Sequence, residues 1–278
     1  MGRYTEMKDF FFGLCSWGLP LPGPDALRFA GRQGYDGVQI LDLGGVKNHD
    51  PLMLPWVREA YAAAMEESGV RIQTLQLQSI VLEGWLKAPA GSASGDLARE
   101  ALRKGLDTCR ALHIPCLQVE DYAASTLTNE AERRNMADFL RFAAPRARDA
   151  GVELVYESFA PYDDTMALFE AAGGGFRFCF DTLNPLRYGF GDPLEELRCY
   201  DPALLAYVHV KDAPAGYQGS ICLDEGEGRF QDCCALLKER GWHGWVVGEN
   251  CFCQYPIGRE DPAVTARRDL ETLRRVFG

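Results

Sequence analysis

The chain has 278 residues, with 29 Lys and Arg against 40 Asp and Glu and a formal net charge of −11. Its composition, 47% hydrophobic and 25% charged, is that of a globular protein and excludes a disordered or low-complexity chain. The acidic balance argues against nucleic acid or an anionic membrane surface as a partner, since both call for a basic face. No apolar run reaches the roughly 20 residues that span a bilayer. The opening MGRYTEMKDF is charged where a secretion signal would be apolar, so a cytoplasmic location is expected.

Ten cysteines are scattered along the chain without a CxxC pair, and they are expected as reduced, mostly buried thiols. Cys251 and Cys253 form a CxC with no second pair at ligand spacing, which is not a zinc pattern.

In chain order, short runs rich in Val, Ile, Phe and Leu alternate with longer stretches of helical period. The spacing predicts strands at 11–17, 37–42, 72–79, 116–122, 152–158, 176–182, 205–212 and 245–250. They read as near-continuously apolar, as strands buried on both faces do. Asp192-Pro193 and Asp261-Pro262 each set a capping carboxylate before a proline, and Asn129 with Glu132 resembles a capping box. Gly34, Gly69, Gly151, Gly173 and Gly241 follow helical runs, where a left-handed residue ends a helix. Eight strands each followed by a helix predict an α/β fold, a single (β/α)8 TIM barrel over residues 1–278. An open doubly wound sheet fits less well, because no glycine-rich dinucleotide turn follows the first strand.

Active sites of such barrels lie at the carboxyl ends of the strands. The last four strands end in Glu157, Asp181, His209 and Glu249, each directly after an apolar run. Carboxylates gathered there would repel and raise one another's pKa unless a cation neutralised them, which points to one divalent metal. Three carboxylates and one imidazole suit Mn²⁺ first, with Mg²⁺ or Co²⁺ as alternatives. Weaker substrate-binding candidates are Trp17 for stacking on a sugar face, and Gln78, Glu120 and Asp121 for accepting from hydroxyls. Lys211 lies two residues past His209, on the same side of the strand, to orient a substrate oxygen or give ionic support to Asp212. His49, His113 and His243 are given no role.

The segments VELVYES, FCFDTLN, AYVHVKD and GWVVGEN, with GYDGVQI after the first helix and GEGRF before the seventh, resemble the xylose-isomerase-like barrels. Within these, the sugar phosphate isomerases and epimerases, and the ketose 3-epimerases in particular, are similar. The resemblance implies that Glu157, Asp181, His209 and Glu249 bind the metal. It implies further that Glu157 and Glu249 move the α-proton of a small-molecule sugar through a metal-stabilised enediolate. The chain departs from the epimerase pattern at Asn184, where a substrate-touching histidine is usual, and at Ala215, where arginine is frequent. Asp163 shortens a carboxylate that the pattern keeps. These departures leave open a metal-dependent lyase or dehydratase acting on an inosose or keto-glycoside. A noncatalytic sugar-binding barrel and an apurinic endonuclease are the remote alternatives. Relatives of this kind are commonly dimers or tetramers, so a homo-oligomer is among the expectations.

Overall fold

The computed structural model describes residues 9–278, and most of the charged opening segment, residues 1–8, lies outside them. Eight parallel strands follow one another around a closed barrel. They are β1 (Phe10–Cys15), β2 (Gly37–Leu41), β3 (Arg71–Gln76), β4 (Cys116–Glu120), β5 (Glu153–Glu157), β6 (Arg177–Asp181), β7 (Leu205–Val210) and β8 (Gly244–Gly248). β8 closes on β1, with Phe10 opposite Gly244 and Leu14 opposite Gly248. That closure leaves no open sheet edge.

A helix follows each strand: α1 (Pro24–Gln33), α2 (Pro55–Ser68), α3 (Ala93–Leu112), α4 (Glu130–Asp149), α5 (Tyr162–Ala172), α6 (Pro193–Cys199), α7 (Phe230–Glu239) and α8 (Pro262–Phe277). The expected caps form. Asp192 accepts from the Leu194 and Glu195 amides, Asp261 from Ala263, and Asn129 from Glu132. Glu132 returns its carboxylate to Thr128 rather than to Asn129, one residue earlier than the usual box. Gly34 and Gly173 end α1 and α5 in the left-handed region, at φ 91° and 81°.

Every predicted strand runs past its observed carboxyl end, by one to three residues. β1 stops at Cys15, and Trp17 lies in the short 3-10 turn Ser16–Gly18 that follows. β3 stops at Gln76, and Gln78 opens a short helix, Gln78–Leu82, so it does not end a strand.

The expectation of continuously apolar strands also fails, for a reason of geometry. Alternate residues point into the barrel, and the interior is layered. One small apolar cluster holds Cys15, Cys116, Val155, Cys179, Tyr207 and Val247. Buried polar residues on the strands include Gln39, Gln76 and Gln118, each at most 2% exposed, with Glu157, Asp181 and His209. Larger hydrophobic residues fill the space between strands and helices. All ten cysteines are free and seven are buried, in line with the sequence reading. Among the described residues no helix is long and apolar enough to cross a membrane.

Candidate active site

Glu157 and Asp181 are the last residues of β5 and β6, His209 is the penultimate residue of β7, and Glu249 directly follows β8. The closed barrel therefore brings all four to one mouth. His209 is fully buried, with Glu157 and Asp181 2% and 4% exposed. His209 Nδ1 stands 3.4 Å from Glu157 Oε2 and 3.9 Å from Glu249 Oε2. Each glutamate turns its other oxygen to a neutral donor. Glu157 Oε1 accepts from Asn184 Nδ2 at 3.0 Å, and Glu249 Oε1 from the Trp17 indole at 3.2 Å.

Lys211 is buried with them. Its ammonium donates to Glu249 Oε2 at 2.5 Å and lies 3.1 Å from Asp181 Oδ2. Its partners are thus Asp181 and Glu249 rather than Asp212. Burial opposes the ionisation of Glu249, but the Lys211 ammonium and His209 outweigh it and hold this carboxyl below its ordinary range. For Asp181, burial prevails over Lys211 and pushes the carboxyl up. Burial would lower His209, yet the facing Glu157 and Glu249 carboxylates raise it. Burial and the neighbouring Glu157 also hold Glu120 well above the usual carboxylate range.

The donor set fits a divalent cation. Asn184 Oδ1 and His209 Nδ1 are buried atoms without a hydrogen-bond partner. Left so, each costs about 1–3 kcal/mol. Three ionised carboxylates beside one ammonium leave two negative charges, which one divalent cation cancels. Glu157, Asp181, His209 and Glu249 are the residues that could hold it.

The weaker candidates separate. Trp17, Asn184, Lys211 and Glu120 border the cluster; Asn184 is buried at the start of a short helix, Asn184–Tyr188. Asp163 is exposed in the first turn of α5, and Gln78 is half-buried beyond β3. Asp121 is pushed up to about 6 by burial and accepts from the Phe159 amide, which makes it a loop anchor.

Two groups escaped the sequence reading. The first is the glutamine layer: Gln118 donates to Glu157 Oε2 at 2.8 Å, and Gln39 Oε1 meets His209 Nε2 at 2.8 Å. The visible signal was a lone amide inside apolar runs, in GVQIL and CLQVE. The second is Asp212, whose carboxylate accepts four backbone amides, from Ala213, Asp224, Gly226 and Gly228, at 2.9–3.1 Å. A Cβ on Gly226 or Gly228 would come within 2.3 or 2.7 Å of Asp212 Oδ1, so the two glycines of GEGRF are required by that close approach.

A relative in Actinoplanes sp., 2-epi-5-epi-valiolone 7-phosphate 2-epimerase, is 31% identical over 270 residues, 95% of this chain and 93% of its own. The L-ribulose-5-phosphate 3-epimerase UlaE of Escherichia coli O1:K1 is 27% identical, over 86% of this chain and 84% of its own. Among solved structures, an IOLI protein with a bound zinc atom superposes with a TM-score of 0.77 at 13% identity, covering 96% of this chain and 98% of its own. The model of the xylose isomerase-like TIM barrels matches residues 27–276, and the chain belongs to that family.

Proposed function

We propose that the chain is a divalent-metal-dependent carbohydrate epimerase or isomerase that moves the proton on the carbon beside a substrate carbonyl between Glu157 and Glu249. The observation that carries this reading is the buried His209 Nδ1, without a hydrogen-bond partner and set among the carboxylates of Glu157 and Glu249. A divalent cation held there would polarise the carbonyl and make the adjacent C–H acidic.

The rest of the chemistry belongs to the chain. Glu157 and Glu249 turn Oε2 toward His209, which leaves Oε1 of each for the proton. The Asn184 amide and the Trp17 indole orient those Oε1 atoms. One glutamate takes the α-proton as base and the other returns a proton to the opposite face as acid. Lys211 keeps Glu249 ionised, which suits it to the base role.

The named relatives support a keto-sugar or keto-cyclitol phosphate as substrate. Mn²⁺ is the favoured metal on an oxygen-rich ligand set, with Mg²⁺ or Co²⁺ next. Ten free thiols support a cytoplasmic setting, and the net charge of −11 a protein that leaves nucleic acid and membranes alone. A homo-oligomer remains part of this reading.

The test is proton NMR of ketose and keto-cyclitol phosphates incubated with Mn²⁺-loaded protein in D₂O, after chelation. Deuterium on the carbon beside the carbonyl, with every substituent retained, is the expected result. Loss of a β-substituent would assign a lyase instead, and no exchange with any member of the panel would overturn the reading.

A further inference from the structure

We infer that Gln39 and Gln118 form an amide relay that decides which nitrogen of His209 carries its proton, and so act as positioning residues for the metal site. The inference rests on reading Glu157 and His209 as ligands. An ionised carboxylate can only accept, whereas a primary amide donates from nitrogen and accepts at oxygen. Gln118 Nε2 stands 2.8 Å from Glu157 Oε2 and 3.4 Å from Glu120 Oε2, so two carboxyl groups draw its nitrogen to their side. Its Oε1 then faces Gln39 Nε2 at 2.7 Å and also accepts from the Tyr207 hydroxyl.

Gln39 has no choice left. Donating from Nε2 to Gln118, and at 3.3 Å to Gln76, it presents Oε1 to His209 Nε2 at 2.8 Å. An acceptor at that distance requires a proton on Nε2. The lone pair is therefore at Nδ1, the atom that faces Glu157 and Glu249 and lacks a partner. Rotating either amide by half a turn would set oxygen against oxygen or N–H against N–H. Gln39, Gln118 and His209 are all 0% exposed, so water is not at hand to repair such a mismatch. The relay starts at Glu157 Oε2 and, through four strands, returns the imidazole to within 3.4 Å of the same atom. One ligand's charge thus sets the ring state of another, as supporting partners of metal-bound histidines do.

The test reads the ring directly. Protein labelled with [15N]histidine contains four histidines, and His209 is assigned by its loss in His209→Gln. Two-bond 1H–15N spectra of metal-free protein in alkaline buffer are expected to show the Nε2–H tautomer alone. In Gln39→Leu and Gln118→Leu the spectrum should become a mixture, and Mn²⁺ affinity by calorimetry should fall by about 10–100-fold. An Nδ1–H or mixed tautomer in the unsubstituted protein would overturn the relay whether or not the variants fold. Unchanged tautomer and affinity in both variants would overturn it too. If the unsubstituted protein shows Nε2–H but binds no divalent cation, the relay holds and the metal reading falls. If it binds cation with Nδ1–H, the reverse is true.

Discussion

The two halves of the barrel mouth are built from different chemistry. Strands β5 to β8 and their ends deliver Glu157, Asp181, His209, Lys211 and Glu249, whereas β2 to β4 deliver the neutral amides Gln39, Gln76 and Gln118. Carboxyls on that half, Glu120 with Asp42 and Asp121 just past β2 and β4, are pushed up by burial, Glu120 by Glu157 as well. Charge gathered on one side creates a demand for a cation. Amides on the other side set orientation without adding to that charge. The contrast separates residues that perform chemistry from residues that aim them.

The comparison breaks most readily at the glutamates. Glu157→Gln and Glu249→Gln should each lower turnover by about 10³-fold, with near-native circular dichroism; deuterium exchange at normal rates in both would remove the proton-transfer roles. His209→Ala should weaken Mn²⁺ binding by more than the roughly 10–100-fold that loss of a supporting partner costs. Metal retained through dialysis at the unsubstituted level would show that the charged half is no ligand set.

Behind the charged half, Asp212→Ala should destabilise the protein by about 2–4 kcal/mol, since hydrogen bonds to a charged acceptor are worth roughly 1.5–3 kcal/mol apiece and the loop relaxes in part. Urea titration measures this, and hydrogen exchange of residues 213–228 should quicken more than that of the strands. A pH-dependent effect concerns Asp269 in α8, which accepts from the Leu223 amide and Asn250 Nδ2. Burial raises its pKa from 3.8 to about 7. Between those values the folded protein keeps a proton that the unfolded chain releases. This group's contribution is therefore fully present at acid pH, declines as pH rises toward 7 and is level above, with a slope of at most about 1.4 kcal/mol per pH unit. Melting temperatures across that window should lose the corresponding slope in Asp269→Asn; an unchanged pH profile would reject the assignment.

The barrel was legible in the sequence because its signals are local. Strand runs, capping carboxylates and helix-terminating glycines each act within a few residues, and Asp192, Asp261 and Gly34 behave as their neighbours dictate. The four charged candidates could be found because an ionisable group directly after an apolar run is conspicuous. Gln39 and Gln118 were not, since a glutamine within a strand carries no charge, and its meaning depends on a partner 170 residues away at His209 or 39 away at Glu157. The strand ends are overrun because Trp17 prolongs the apolar run of β1, and Gln78 the alternation of LQLQS, while the backbone turns. Lys211, expected to orient a substrate oxygen or to support Asp212, lies just past β7 and pairs with Glu249 and Asp181, while Asp212 turns to the loop.

What Asp212 grips in that loop, at 213, 224, 226 and 228, is the peptide backbone. Apart from the two glycines pressed against the carboxylate, the grip does not depend on which side chains the segment carries. Exposed side chains of this segment can thus be exchanged without breaking those four bonds. Such a segment is where a change of diet would be recorded first, and where a redesign for a new substrate should begin.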